Sequence, residues 1–329
     1  MRSSSFMRHV AVIHRIATAA FVLALPCAAA KAQFFTIDPP GVTYNIAWGF
    51  SNGIAVGYEN YGDNAFTYDG TAFTTVNAPG ASYTQINGIS GSNVYGDYEP
   101  TVGPNAGFVY NGVAYTTIPD FPGSTPGTTV VNGGQGSTVV GSYIDSLGSI
   151  NGYVYNTNTQ LFATIDDPVT IGDPYGYTVV SGINGAATVG TYGLGSGTYG
   201  FIESHGTFTT ISDPLGIGYT TVWGGLGAYV VGHYIDSNYN YHGFIYDSYT
   251  NTYTTLDDPL ANNQFGTNVN GIGYNSSGGI TVVGAYWDSS YNAHAFEYSY
   301  TPEPGAAGLL IGFGFTTVGI GLRRTRNKY

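Results

Sequence analysis

Between Lys31 and Arg323 the chain contains no lysine and no arginine. Its eight basic residues are Arg2, Arg8, Arg15 and Lys31 at one end and Arg323, Arg324, Arg326 and Lys328 at the other, while the twenty acids run from Asp38 to Glu303. Conventional ion pairs therefore cannot stabilise the intervening body. The phosphate backbone of DNA or RNA needs cations to neutralise it, so the composition argues against nucleic acid as a partner and leaves cation binding open. Cysteine is the second absence: Cys27 stands alone near the N-terminus, so the body beyond it has neither a disulfide nor a thiol nucleophile. Third, no stretch of the body spaces apolar residues as a helix would. Gly-x-Ser-x-Gly, His-Glu-x-x-His and Walker patterns are missing as well.

What is present is 50 Gly, 30 Tyr and 17 Phe, with 43% hydrophobic and only 9% charged residues. Tyrosine, phenylalanine, threonine and valine favour half-buried pleated positions, and glycine, asparagine, aspartate and proline supply turns. The body is therefore expected to be all-β. A hydrophobic fraction this high in a regular pattern argues against low-complexity disorder.

The two ends carry address labels. Residues 1–32 combine basic residues, an apolar run from Ile16 to Leu25, a break at Pro26 and small residues ending Ala30-Lys31-Ala32. That is the tripartite pattern of a signal peptide, with cleavage expected after Ala32 and the Sec machinery as export partner. Pro26 precedes Cys27 where a lipoprotein signal would place a small residue. At the other end, residues 301–329 read Pro302-Glu303-Pro304, an uncharged run over 305–322, then Arg323, Arg324 and Arg326. Eighteen residues at 1.5 Å rise span about 27 Å, enough for a transmembrane helix. The trailing arginines would remain cytoplasmic, leaving the body outside. This C-terminus resembles the PEP-CTERM sorting signal of Gram-negative bacteria. The resemblance implies an exosortase as processing partner, with association to exopolysaccharide or biofilm; a permanent single-pass anchor is the alternative.

The body, residues 33–300, repeats one block six times. A hydrophobic-Gly landmark with a nearby tyrosine occurs at Gly57, Gly96, Gly141, Gly190, Gly232 and Gly284, spaced 39, 45, 49, 42 and 52 residues apart. A mean near 45 suits a four-stranded propeller blade. The second landmark is a small residue followed by an aromatic, from Ala65-Phe66 to Ala295-Phe296. The third is an aromatic-x-Thr-aliphatic strand, as at Phe73 to Val76, closed by a proline that cannot donate to a ladder. The sixth block lacks this third landmark, whereas an orphan copy, Phe34 to Ile37, precedes the first. A six-bladed β-propeller closed by the N-terminal strand needs that arrangement, and closure removes exposed edges. An open β-solenoid, the alternative, does not need it. The blocks resemble extracellular HAF repeats, matched in full only at His294-Ala295-Phe296 and nearly so at His242-Gly243-Phe244.

No catalytic or cofactor-binding residue stands out. His242 and His294 occupy one repeat position in different blades and should be held apart. Glu59, Glu99, Glu203 and Glu297 fall at different block positions, which gives little support to the paired carboxylates of a glycan-active hydrolase. Asp166-Asp167 and Asp257-Asp258 precede turn prolines. Asp145, Asp236 and Asp288 recur two residues after the landmark tyrosine and could offer oxygens to Ca²⁺, without the ligand density of dedicated calcium loops. Tyr239, Tyr241 and Tyr291 lie in the same polar loops, where rings can stack on sugars or proteins. The sequence thus favours an exported, non-enzymatic surface or matrix protein that binds polysaccharide or surface proteins. A hydrolase using the propeller channel and a calcium-stabilised scaffold are the alternatives.

Overall fold

The computed structural model describes residues 33–300. Within them the chain forms six antiparallel four-stranded sheets arranged as blades. The first blade is Asn45–Ser51, Ile54–Glu59, Asn64–Tyr68 and Phe73–Thr75. The second is Ala81–Ser90, Asn93–Pro100, Ala106–Tyr110 and Tyr115–Ile118. Val130–Gln135, Thr138–Ile144, Ile150–Asn156 and Leu161–Ile165 make the third. Tyr177–Asn184, Ala187–Leu194, Gly197–Ser204 and Thr207–Ile211 make the fourth. The fifth is Thr220–Leu226, Tyr229–Ile235, Tyr241–Asp247 and Thr252–Leu256. The sixth has only three strands of its own, Thr267–Tyr274, Ile280–Trp287 and Ala293–Tyr300.

Phe34–Thr36 supplies the missing outer strand of the sixth blade, pairing Phe34 with Tyr298, Phe35 with Glu297 and Thr36 with Phe296. The Ile37 N–H extends this pairing to the Ala295 carbonyl at 2.9 Å. The ring is therefore closed by the first described strand, as the orphan landmark predicts, and the open solenoid is ruled out. First strands of neighbouring blades contact one another all the way round, the first blade's against the sixth's included, so they line the central channel. No helix among the described residues is long and apolar enough to cross a membrane. The expected signal peptide with its Ala32 cleavage point lies outside the described residues. So do the 305–322 span, Pro302, Glu303, Pro304 and the arginines Arg323, Arg324 and Arg326.

The landmarks acquire physical reasons. The third-landmark aromatic packs on the second-landmark aromatic in all six blades, with ring centroids 5.1–5.7 Å apart: Phe73 on Phe66, Tyr115 on Phe108, Phe162 on Tyr153, Phe208 on Phe201, Tyr253 on Phe244, and Phe34 on Phe296 at the closure. Such pairs contribute about 0.5–1.5 kcal/mol beyond the area they bury. In the last three blades the landmark tyrosine reaches over the third strand to a threonine hydroxyl of the outermost one. Tyr192 meets Thr210 at 3.0 Å, Tyr234 meets Thr255 at 3.1 Å and Tyr286 meets Thr36 at 3.1 Å. The small residue of the second landmark makes room for the next blade. A Cβ on Gly243 would lie 2.7 Å from the Val269 side chain, and one on Gly152 would lie 2.8 Å from that of Val180.

Candidate binding site at the channel mouth

Each first strand carries one residue too many. Its register with the second strand slips between Ala47 and Gly49, Ile86 and Gly88, Val131 and Gly133, Val180 and Gly182, Val222 and Gly224, and Val269 and Gly271. The slip is a β-bulge, which bends the strand and re-aims the extra residue. The six bulged residues are Trp48, Asn87, Asn132, Ser181, Trp223 and Asn270, and all line the channel. Opposite each bulge stands a landmark glycine, paired with the residue just before the extra one. At Gly57 and Gly284 a Cβ would overlap the carbonyl oxygens of Ile46 and Asn268. The first landmark is thus a requirement of the bulge.

Immediately after each bulged residue comes a second glycine: Gly49, Gly88, Gly133, Gly182, Gly224 and Gly271. These six form a collar in which a Cβ on each would approach the backbone of the next blade around the ring. On Gly88 it would lie 3.3 Å from the Gly133 Cα, and on Gly271 it would lie 2.8 Å from the Gly49 Cα. The space at the collar is only about 80 Å³. On the side toward the starts of the first strands, a cavity of about 180 Å³ opens. Its wall is formed by Trp48, Tyr58, Gln85, Asn87, Val130, Asn132, Ser181 and Trp223.

The wall is held by links between blades. Asn87 donates through Nδ2 to the Val131 carbonyl, Asn132 to the Val180 carbonyl and Asn270 to the Ala47 carbonyl, at 2.8, 2.9 and 3.0 Å. Asp97 reinforces the first link: its carboxylate accepts from the Val131 N–H at 2.9 Å and from Asn87 at 2.8 Å. Burial pushes the Asp97 pKa up to about 8 despite these donors. Ser181, at the corresponding bulge of the fourth blade, is 5% exposed, and its hydroxyl has no hydrogen-bond partner. Thr191 substitutes for it across that interface, accepting from the Val222 N–H at 3.0 Å.

The aromatic side of the wall crosses the ring. Trp48 and Trp223, from the first and fifth blades, meet edge to face at 5.2 Å, and Tyr58 stacks beside Trp48 at 6.2 Å. Trp223 donates through Nε1 to His233 Nδ1 at 3.2 Å. Burial depresses the His233 pKa to about 4, so the ring is neutral and free to accept at that nitrogen. The Tyr241 ring follows 5.4 Å from His233, carrying the run of rings toward the turn between second and third strands.

The residues singled out from sequence sit on the same face but do not converge. Asp145, Asp236 and Asp288 lie in three different blades, each closing a hairpin. Asp145 Oδ1 accepts from the N–H groups of Leu147 and Ser149, Asp236 Oδ1 from Asn238 and Asn240, and Asp288 Oδ1 from Ser290 and Asn292, all at 2.8–2.9 Å. The backbone donor of Asn240 leads in holding Asp236 down at about 2. Among the described residues no group of three or more His, Cys, Asp or Glu is arranged around a metal position. His242 and His294 stand apart, as their repeat positions require. His294 lies between Asp38, 2.6 Å from Nδ1, and Asp288, 3.4 Å from Nε2; His242 lies likewise between Asp257 at 2.9 Å and Asp236 at 3.4 Å. Burial alone would lower the His294 pKa, but the Asp38 hydrogen bond and the two carboxylate charges outweigh it and raise it. Asp167 and Asp258 make turn bonds to the N–H groups of Val169 and Leu260 at 3.1 and 2.8 Å. Asp166 instead accepts from the Gly152 N–H at 3.1 Å.

Trp48, Trp223 and the bulged amides do not stand out in the sequence as site residues. The available signal was a glycine eight residues before the landmark glycine in five blades, as Gly49 precedes Gly57, and thirteen before it in the sixth, where Gly271 precedes Gly284.

No family model and no curated protein matches this sequence. Among solved structures the chain is similar to AofleA from Arthrobotrys oligospora, at 12% identity and a TM-score of 0.49 over 82% of this chain and 86% of that one. It is similar to TolB from Acinetobacter baumannii at 14% identity and a TM-score of 0.48, covering 80% of this chain and spanning 65% of that protein's length. A six-bladed fungal lectin from Aleuria aurantia aligns at 14% identity with a TM-score of 0.44, over 78% and 91% of the two chains. The propeller assignment rests on the strand pairing itself.

Proposed function

We propose that this chain is an exported, non-enzymatic recognition protein of the cell surface or extracellular matrix, presenting the channel-mouth face to polysaccharide or to a surface protein. The observation that carries this reading is the composition of the mouth. Two indoles, a tyrosine and three amide side chains converge on one cavity, and the one carboxylate beside it, Asp97, is buried behind Asn87 without a second acid to pair with. Paired acids would be needed for glycoside hydrolysis, whereas aromatic faces with a few polar groups suit binding. The confinement of every Lys and Arg to the two end segments supports export followed by exosortase-type sorting at Pro302-Glu303-Pro304, and with it association to exopolysaccharide or biofilm. The blocks resemble the HAF type through His294-Ala295-Phe296 and, less fully, His242-Gly243-Phe244.

Two measurements test this. The full chain is applied to a polysaccharide array with and without chelator: saturable, chelator-insensitive binding is expected, and hydrolysis of any arrayed glycan would replace the binding reading by the hydrolase. A melting temperature that falls with chelator would favour the calcium scaffold. Separately, replacing Arg323, Arg324 and Arg326 by Gln should leave unprocessed precursor in the membrane fraction. Unchanged processing would remove the sorting assignment.

A further inference from the structure

We propose that the channel-mouth cavity is a pocket for one uncharged sugar residue, entering end-on from a glycan chain. This rests on the recognition reading above and assigns its ligand and its place. The volume argues for one ring. At about 30 Å³ per water molecule, the roughly 180 Å³ cavity holds the equivalent of about six waters, the scale of a single hexose rather than an oligosaccharide. The glycine collar stops anything longer from threading through, because the six first strands approach one another there without side chains between them.

The chemistry of the wall selects hydroxyls. Asn87 and Asn132 spend Nδ2 on neighbouring carbonyls, which fixes each amide and leaves its Oδ1 as an oriented acceptor. Ser181 adds a buried hydroxyl with no partner in the protein, able to give or take one hydrogen bond. A buried polar group of this kind costs stability, and rotation of the Ser181 side chain toward the cavity would let a ligand hydroxyl satisfy it. Opposite stand the indoles, Trp223 locked by its bond to His233, so an apolar ring face has a preorganised platform. An acidic sugar would find no cation, since no Lys or Arg exists between Lys31 and Arg323.

Tryptophan emission reports on this pocket directly. The sequence has three tryptophans; two line the cavity, and the third, Trp287, lies beside Phe265. In the full chain carrying Trp287→Phe, titration with methyl glycosides of glucose, galactose and mannose should give a saturable change with at least one of them and none with glucuronate. Trp223→Ala should weaken that binding at least tenfold. Ser181→Ala serves as the fold-preserving variant, with a melting temperature equal to or above the parent and binding weakened several-fold. No response to any neutral glycoside, or one indifferent to both variants, overturns the proposal. If the glycosides fail while an arrayed polysaccharide binds independently of Trp223, the pocket inference falls and the recognition reading stands. If neither binds, both fall.

Discussion

The outer rim and the channel wall of this propeller follow opposite rules. On the rim, a given repeat position does the same job in blade after blade: six aromatic pairs link third and fourth strands, and Phe34 performs at the closure what Phe208 performs in the fourth blade. On the channel wall the equivalent positions differ. The six bulged residues are two tryptophans, three asparagines and a serine, and the residues following the landmark glycines are Tyr58, Asp97, Ser142, Thr191, His233 and Ala285. Uniformity across the blades marks packing, because every blade must solve the same problem against its neighbour. Departure from uniformity, where the geometry is still sixfold, marks positions free to serve a ligand.

The largest effect should come from breaking the rim at its one discontinuity. Deleting Phe34 to Ile37 removes the outer strand of the sixth blade, the Phe34–Phe296 ring pair and the Thr36–Tyr286 hydrogen bond together. It also exposes the edge of Ala293–Tyr300. Differential scanning calorimetry should show loss of the cooperative transition or a fall of more than about 10 °C. A shift of only a degree or two would mean that the ring is not held by this strand.

A second comparison lies within the glycine collar. A Cβ on Gly271 would lie 2.7 Å from the Trp48 carbonyl oxygen and 2.8 Å from the Gly49 Cα, whereas on Gly182 its nearest neighbour is a Val189 methyl at 3.3 Å. Gly271→Ala should therefore cost about 1–3 kcal/mol in denaturant unfolding, the range for overpacking, and Gly182→Ala less. Equal costs would show that the collar is looser than its spacing.

The two histidines with shifted pKa values respond to pH in opposite directions. His233 has its pKa depressed to about 4 by burial, so its contribution to stability is present above about 6.5, the unfolded value, and is lost as pH falls toward 4. His294, on the rim, has a raised pKa, so its contribution is full below about 6.5 and is lost as pH rises through the folded value. Asp97 joins His294 in sign although it belongs to the wall. Its contribution is full below about 3.9 and is lost as pH rises through about 8. In melting curves over pH 4 to pH 9, Asp97→Asn should remove a fall in stability that runs up to about pH 8, and His233→Phe should remove a rise in stability between about pH 4 and pH 6.5. Unchanged slopes would mean that these groups titrate as they do in the unfolded chain.

The same contrast explains what could be read from the sequence. Rim positions repeat, so a search for self-similarity finds them: Gly57 through Gly284, the small-aromatic pairs and the orphan strand at Phe34 lead to the closed ring. Trp48 and Trp223 were illegible for the converse reason, since a site built where the repeat is broken offers no recurring residue type. The collar glycines were hidden among 50 glycines, and the bulges shift register by one residue, which alternation alone cannot reveal. The role of Asp236 was half legible. Its setting announces a turn, but only the fold shows one carboxylate oxygen closing the hairpin on the N–H groups of Asn238 and Asn240.

The smallest effect concerns the two turns where the channel-mouth face departs from the rim's economy. Tyr239 and Tyr291 stand at φ 64° and 65°, a left-handed conformation, with 71% and 60% of their surface exposed. In the third blade the corresponding turn places Gly148 there, at φ 86°, which costs a glycine nothing. A bulky side chain at positive φ is held at a cost of about 1–2 kcal/mol, and an exposed ring recovers little of it through burial. Tyr239→Gly should therefore leave the protein as stable as before or slightly more so in thermal melts. If the tyrosine serves the recognition face, the same substitution should weaken polysaccharide binding. A variant that is more stable and binds equally well would place Tyr239 outside the site and confine recognition to the channel mouth.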